Sequence, residues 1–175
     1  EAYAGDIIGV FDPGCFLIGD TLCNGKNAFK FEGIPMFPSE YFAEVNAVDS
    51  GKRKQFLKGI KQISEEGAIQ VFKQPDLGIE RYTIGVAGAL QFEVLEYRLK
   101  NEYNVEISIR KLPYNLARWI MTEHFNKEML AYTDTLLLED QYQRPVVLFK
   151  NEWSLSRMEE KNKDVKFLDI APVNE

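Results

Sequence analysis

The chain has 175 residues, of which 45% are hydrophobic and 27% charged, and its net charge is −6. This composition excludes disordered and collagen-like chains, and the length allows one domain, or one domain with part of another. The negative charge argues against a general nucleic-acid coat, and no apolar run is long enough to cross a membrane. Two cysteines, Cys15 and Cys23, give no disulfide framework and favour a reducing, cytoplasmic location.

Residues 1–33 contain three short strand-like segments. They lie at 7–11, 16–22 and 28–31. Asn24 and Gly25 are typical of a two-residue hairpin, because both residues tolerate positive φ. Three strands leave an apolar face and two edges uncovered, so we predict the end of a larger β-barrel. Pro35 and Pro38 favour an extended linker, which places the domain boundary between residues 33 and 34.

Residues 34–175 are predicted to form one composite α+β domain. The first elements alternate in the order β-α-β-β-α-β, with strands at 41–48, 68–72, 82–86 and 105–109 and helices at 51–66 and from residue 89. Asp49 or Ser50 is suited to cap the first helix, and Gly67 to end it. This order is that of a ferredoxin-like unit, in which both helices cover one face of an antiparallel sheet.

Further α+β elements follow in residues 114–175. Strands are predicted at 116–121, 136–139, 145–150 and 165–170, and helices at 126–131 and 156–161. Ser156 and Glu159 have the spacing of a capping box for the last helix. The periodicity leaves open whether these elements join the first sheet or form a separate layer.

The first helix carries the most distinctive charge pattern. No acidic residue occurs from Gly51 to Ser64, and lysines fall opposite an apolar stripe that includes Phe56 and Ile60. Such a face binds phosphates or is simply solvated, and both interpretations stay open. On a later predicted strand, Arg118 and Trp119 point to opposite faces, and we expect the tryptophan to be buried. The candidate RNA contacts are Arg53, Lys54, Lys58, Lys61 and Arg118.

Motifs that suggest catalysis fail on spacing or context. The loop at 19–26 has five residues between its glycines and lacks Ser or Thr after its lysine, so it is no phosphate-binding loop. The glycines at 85–88 are best explained by tight strand-to-helix packing. His124 is the only histidine, and Glu65 and Glu66 are expected at a solvated helix end. The sequence therefore predicts no catalytic, cofactor-binding or metal-binding residue.

Four long segments, at 5–22, 31–45, 52–72 and 85–106, resemble successive parts of the bacterial peptide chain release factor 3 family. The resemblance runs from about residue 2 to residue 119 and is looser afterwards. Residues 85–93 are also similar to a strand-to-helix turn in the ferredoxin-like third domain of elongation factor G. The resemblance implies the end of domain II followed by domain III.

The family that the chain resembles consists of cytoplasmic GTP-hydrolysing translation factors, which bind the ribosome and promote departure of class I release factors. The chain is expected to be a fragment that lacks the G domain, so GTP or GDP with Mg²⁺ would bind elsewhere in the parent and the fragment itself would be no enzyme. The implied partners are the small-subunit ribosomal RNA, the region of protein S12, the parent's own G domain and, indirectly, the class I release factors.

Three alternatives remain open from the sequence. The chain is similar enough to elongation factor G that another ribosomal GTPase of that kind is possible. A ferredoxin-like scaffold also serves small-molecule-binding modules. Finally, the unpaired N-terminal strands would allow a dimer by edge pairing.

Overall fold

The computed structural model describes residues 1–11, 16, 18–24, 29–31, 38–74, 82–121 and 134–172. The chain separates into two compact units, Glu1–Ile34 and Pro35–Glu175. Their division lies one residue from the boundary that the two prolines predict. The predicted helix at 126–131 and His124 lie outside the described residues.

The first unit contains no strand among its described residues, so the strand predicted at 7–11 is wrong for this chain. The described parts of the other two predicted strands are also irregular. These two segments do contact each other, through a hydrogen bond from the Phe31 N–H to Thr21 Oγ1 at 3.1 Å. Ile7 and Phe11 are fully or almost fully exposed. A strand forms only through a ladder of hydrogen bonds with a neighbour, and residues 7–11 form no such ladder with the described residues of this unit.

The second unit opens with the predicted β-α-β-β-α-β order, which is confirmed. The elements are β1 (Tyr41–Ala47), α1 (Arg53–Glu65), β2 (Gln70–Lys73), β3 (Tyr82–Val86), α2 (Gln91–Tyr103) and β4 (Ile107–Lys111). The four strands pair antiparallel in the order β4-β1-β3-β2.

Short polar residues set the ends of the two helices. Asp49 accepts a hydrogen bond from the Gly51 N–H at 2.8 Å and starts a 3₁₀ turn, Ser50–Lys52, that leads into α1. At the end of α2, Asn104 adopts a left-handed conformation with φ 55°. The Val105 N–H then donates to the Leu99 carbonyl at 2.9 Å, so Val105 completes the helix cap and β4 begins later than predicted.

The remaining elements extend the same sheet, which answers the question that periodicity left open. They are β5 (Leu116–Met121), β6 (Thr135–Asp140), β7 (Pro145–Phe149), α3 (Glu152–Lys161) and β8 (Lys166–Leu168). The full strand order is β4-β1-β3-β2-β6-β7-β5-β8. The two halves join where β2 pairs antiparallel with β6, with Phe72 opposite Asp140.

Helix α3 begins four residues before the predicted start, and the predicted capping box is wrong. Asn151 is the N-cap, and its side chain accepts from the Ser154 N–H at 2.9 Å. The buried stripe of α3 consists of Ser154, Leu155 and Met158. Ser154 and Leu155 precede the predicted start at Ser156, and they share one side of a helix with Met158 only if the helix already includes them.

Three clusters of buried side chains stabilise the second unit. The first lies between the sheet and helices α1 and α2, and includes Phe56, Ile60 and Leu99. In the second, Phe42 and Phe72 pack with Trp119 and Leu148, so the two halves of the sheet face each other. The third lies under α3. Helices α1 and α2 therefore bury one side each and present the other side to solvent.

Candidate functional site

The exposed side of α1 carries a row of lysines. Lys54, Lys58 and Lys61 recur at spacings of four and three, so they lie on one side of the helix, and all three are exposed. Phe56, Ile60 and Ile63 are buried on the other side. We refer to Lys54, Lys58 and Lys61 as the basic stripe.

Few carboxylates neutralise the basic stripe. Lys61 Nζ lies 3.6 Å from Glu65 Oε1, in a bridge whose lysine side chain is 78% exposed, and such bridges are weak. Within the described ranges, neither Lys54 nor Lys58 has a carboxylate within 4.0 Å. Both ammonium groups are therefore available to an external anion.

The neighbouring cations have different surroundings. Arg53 is exposed at the first residue of α1, beside the basic stripe. Lys52 instead donates to the backbone carbonyl of Asn104 at 2.7 Å and ties the start of α1 to the end of α2. Arg53 thus lies on the helix that carries the basic stripe, at its first residue.

Arg118 does not belong to this surface. It lies on β5 with its side chain only 17% exposed, donates to the Ala117 carbonyl at 2.9 Å and lies 3.9 Å from Glu152 of α3. Trp119 is buried, as predicted, and its indole N–H donates to Asp140 at 2.9 Å. Both faces of β5 are covered, because α3 packs over the face that the sequence left open to RNA.

The other sequence candidates have structural roles. Gly85 lies in β3, and a Cβ added to it would lie 2.6 Å from Ser39 Oγ and 2.9 Å from Phe72 of β2. Its packing is therefore tight, but against Ser39 and a neighbouring strand, and not against a helix as predicted. Glu65 and Glu66 are exposed at the end of α1, as predicted. In the part of the chain that the structure describes, no group of three or more metal-ligating side chains occurs and no helix is both long and apolar enough to span a bilayer.

An ion-pair network fixes α1 against α2. Arg98 of α2 donates to both Glu66 oxygens, at 3.2 Å to Oε1 and more closely to Oε2, and to Glu102 at 2.9 and 3.0 Å. The Arg98 guanidinium lowers the pKa of Glu102 by hydrogen bonding, and the two carboxylates raise the pKa of Arg98. These ion pairs join Glu66, at the end of the helix that carries the basic stripe, to Arg98 of α2.

The Arg98–Glu102 pair should stabilise the chain only when Glu102 is ionised. Because the folded pKa lies below the unfolded value of about 4.3, this stabilisation is present at neutral pH and is lost as the pH falls through the folded pKa. We expect Glu102→Gln to lower the urea midpoint at pH 7, and we expect this difference from the unsubstituted chain to shrink as the pH falls to 2. Glu96→Gln, on the same helix, is the control, and a gap of equal size at both pH values would contradict the prediction.

The amino-acid sequence is similar to those of known proteins. Residues 31–159 match the family model described as class II release factor RF3, C-terminal domain. Peptide chain release factor 3 of Symbiobacterium thermophilum is 47% identical over 171 residues, covering 98% of this chain and 32% of that protein. The proteins of the same name from Gloeobacter violaceus and Staphylococcus carnosus are 46% and 41% identical, covering 99% and 97% of this chain.

The similarity covers almost the whole chain, including residues after 119, where the resemblance seen in the sequence is looser. The chain spans about a third of the length of the curated relatives it matches. The matched region includes β1 through most of α3, and with it the helix that carries the basic stripe. The chain therefore belongs to the class II release factor RF3 C-terminal domain family.

Proposed function

We propose that this chain is the ribosome-docking portion of a release factor 3-like GTPase, which promotes dissociation of class I release factors after peptide release. The observation that carries the proposal is the basic stripe, Lys54, Lys58 and Lys61, exposed on a helix of an acidic chain. Ammonium groups in such a row bind RNA phosphates and release counterions, which drives association without reading sequence.

The proposal gives the two units different roles. Glu1–Ile34 would be the end of barrel domain II, and Pro35–Glu175 would be domain III, which supplies the docking surface. GTP or GDP with Mg²⁺ would bind the G domain of a cytoplasmic parent, so this chain alone would not hydrolyse GTP. The proposed partners are small-subunit ribosomal RNA, the region of protein S12 and the parent's G domain.

Arg53 joins the basic stripe in this proposal, whereas Arg118 does not. Arg53 is exposed at the start of the same helix. The guanidinium of Arg118 lies largely under α3 and would have to leave the Ala117 carbonyl to reach a phosphate. We therefore expect Arg118→Gln to leave the salt dependence of ribosome binding unchanged.

Reversing the charge of the basic stripe should weaken binding to purified small ribosomal subunits. For Lys54→Glu/Lys58→Glu/Lys61→Glu we expect about a hundredfold loss of affinity at 0.1 M salt, and a fall of about 2 to 3 in the slope of log affinity against log salt concentration. Titration with labelled chain at several salt concentrations measures both quantities.

The control must carry the same change of net charge. Lys161, Lys163 and Lys166 are exposed at and after the end of α3, so their triple substitution by glutamate matches the charge but not the position. If both triple variants bind with the same affinity and the same salt slope, the basic stripe is not the docking surface. If the unsubstituted 175-residue chain does not bind the small subunit, the proposed function itself is refuted.

A further inference from the structure

Helix α2 exposes three large apolar side chains that the core does not use. Leu90, Val94 and Tyr97 are 72%, 54% and 68% exposed. Leu90 precedes the first turn of α2, and the spacings of four and three residues place all three on one side of the helix. We refer to them as the apolar stripe. Scattered exposed apolar residues are ordinary, but a contiguous row is typical of an interaction surface.

The charge beside the apolar stripe is negative and uncompensated. Glu93 and Glu96 are exposed, and neither has an ion-pair partner among the residues that the structure describes. The one lysine of α2, Lys100, lies 3.2 Å from Glu106 in an exposed ion pair and pairs with neither Glu93 nor Glu96. The surface therefore combines apolar side chains with two free carboxylates.

The apolar stripe and the basic stripe lie on one layer of two packed helices. Gly59 allows α1 and α2 to approach closely, since a Cβ there would lie 2.5 Å from Leu99 Cδ2. Lys52 places the start of α1 beside the end of α2 through its bond to Asn104. Each helix buries its inner side in the same core, so both stripes lie on the solvent side of this layer.

We infer that the apolar stripe binds a basic protein segment that carries apolar side chains, beside the RNA contacted by the basic stripe. This inference rests on the proposed function. The carboxylates of Glu93 and Glu96 attract lysine and arginine and repel phosphate, so charge complementarity favours protein over RNA at this position. A surface this small binds weakly alone. Its contact adds to the affinity that the basic stripe provides, because both surfaces belong to one domain and engage the ribosome together.

Site-specific cross-linking to purified small ribosomal subunits tests the identity of the occupant. A photo-reactive phenylalanine analogue replaces Tyr97 in one chain and Lys58 in another. We expect position 97 to cross-link to protein, giving a product that survives ribonuclease and is lost to protease, and position 58 to cross-link to RNA. If position 97 reacts with RNA, or with nothing while the chain is bound, the inference is wrong and the proposed function stands.

Substitution provides a second test, because the direction of the change in affinity distinguishes a bound basic protein from bound RNA. Leu90→Ala/Val94→Ala/Tyr97→Ala should weaken subunit binding about tenfold with an unchanged salt slope, since no charge is lost. Trp153→Ala, which removes another 65% exposed aromatic, is the control and should bind as the parent does. Glu93→Lys/Glu96→Lys should weaken binding to a basic protein; tighter binding would mean that RNA lies there and would overturn the inference.

Discussion

Asp140→Ala should lower the free energy of unfolding of the second unit by about 3 to 5 kcal/mol, which is a large part of the stability of an ordinary domain. Asp140 ends β6 and is 7% exposed. One carboxylate oxygen accepts from the Trp119 indole at 2.9 Å and from Arg144 Nε at 2.7 Å. The other accepts from the backbone N–H groups of Tyr142 and Arg144 at 2.8 and 3.0 Å.

The expected cost is high because removal of the carboxylate takes the acceptor from four N–H donors, of which the Trp119 indole is buried and the others are partly buried. Arg144 would keep a bond to the Pro172 carbonyl but lose its ion pair with Asp140, and the Trp119 indole would lose its acceptor inside the second core. Asp140→Asn retains one acceptor oxygen, so we expect an intermediate loss. Urea unfolding followed by tryptophan fluorescence measures the change.

An exposed aspartate gives the matched control for this prediction. Asp169 lies after β8, and Asp169→Ala should change stability by less than about 0.5 kcal/mol, as surface substitutions usually do. A loss of less than about 1 kcal/mol for Asp140→Ala would show that the hydrogen bonds around it contribute little beyond their replacement by water.

Local periodicity predicted the ferredoxin-like half because each of its elements has one consistently apolar side. In β1, Ala43 and Val45 pack under the helices while Phe42 faces the second half of the sheet. The alternation identifies the strand whichever face meets the helices. It does not tell what covers the other face, and for this reason the joining of the two halves through β2 and β6 remained open.

The misplaced features depend on contacts between residues far apart in sequence. Arg118 was expected on a surface because its neighbour Trp119 would be buried, but α3, more than thirty residues later, covers the Arg118 side. In the first unit, short apolar segments have the pattern of strands, yet no ladder forms among its described residues. In both places the local sequence does not tell which distant segment packs against the residues in question.

The candidate surface was only half predictable for a related reason. The basic stripe was visible because charged side chains on a helix seldom have any place other than solvent. The apolar stripe was hidden, since Leu90, Val94 and Tyr97 have the same spacing as the buried side chains of α2 and a sequence cannot tell which row is covered. The signal was present as an excess: α2 has more apolar residues than one buried side requires.

Gly85→Ala should destabilise the second unit by about 3 kcal/mol through overpacking. The added Cβ would lie 2.6 and 2.8 Å from Ser39 Oγ and Cβ, and 2.9 Å from the Phe72 ring, and all of these atoms belong to buried residues. Gly88→Ala, in the turn that follows β3, is the control, because open space surrounds its added Cβ. Ser39→Gly should recover part of the loss in the double variant, although it removes the hydrogen bond to Gln70. Equal urea midpoints for Gly85→Ala and Gly88→Ala would instead mean that β3 shifts to make room, and that the packing around Gly85 is not what requires glycine.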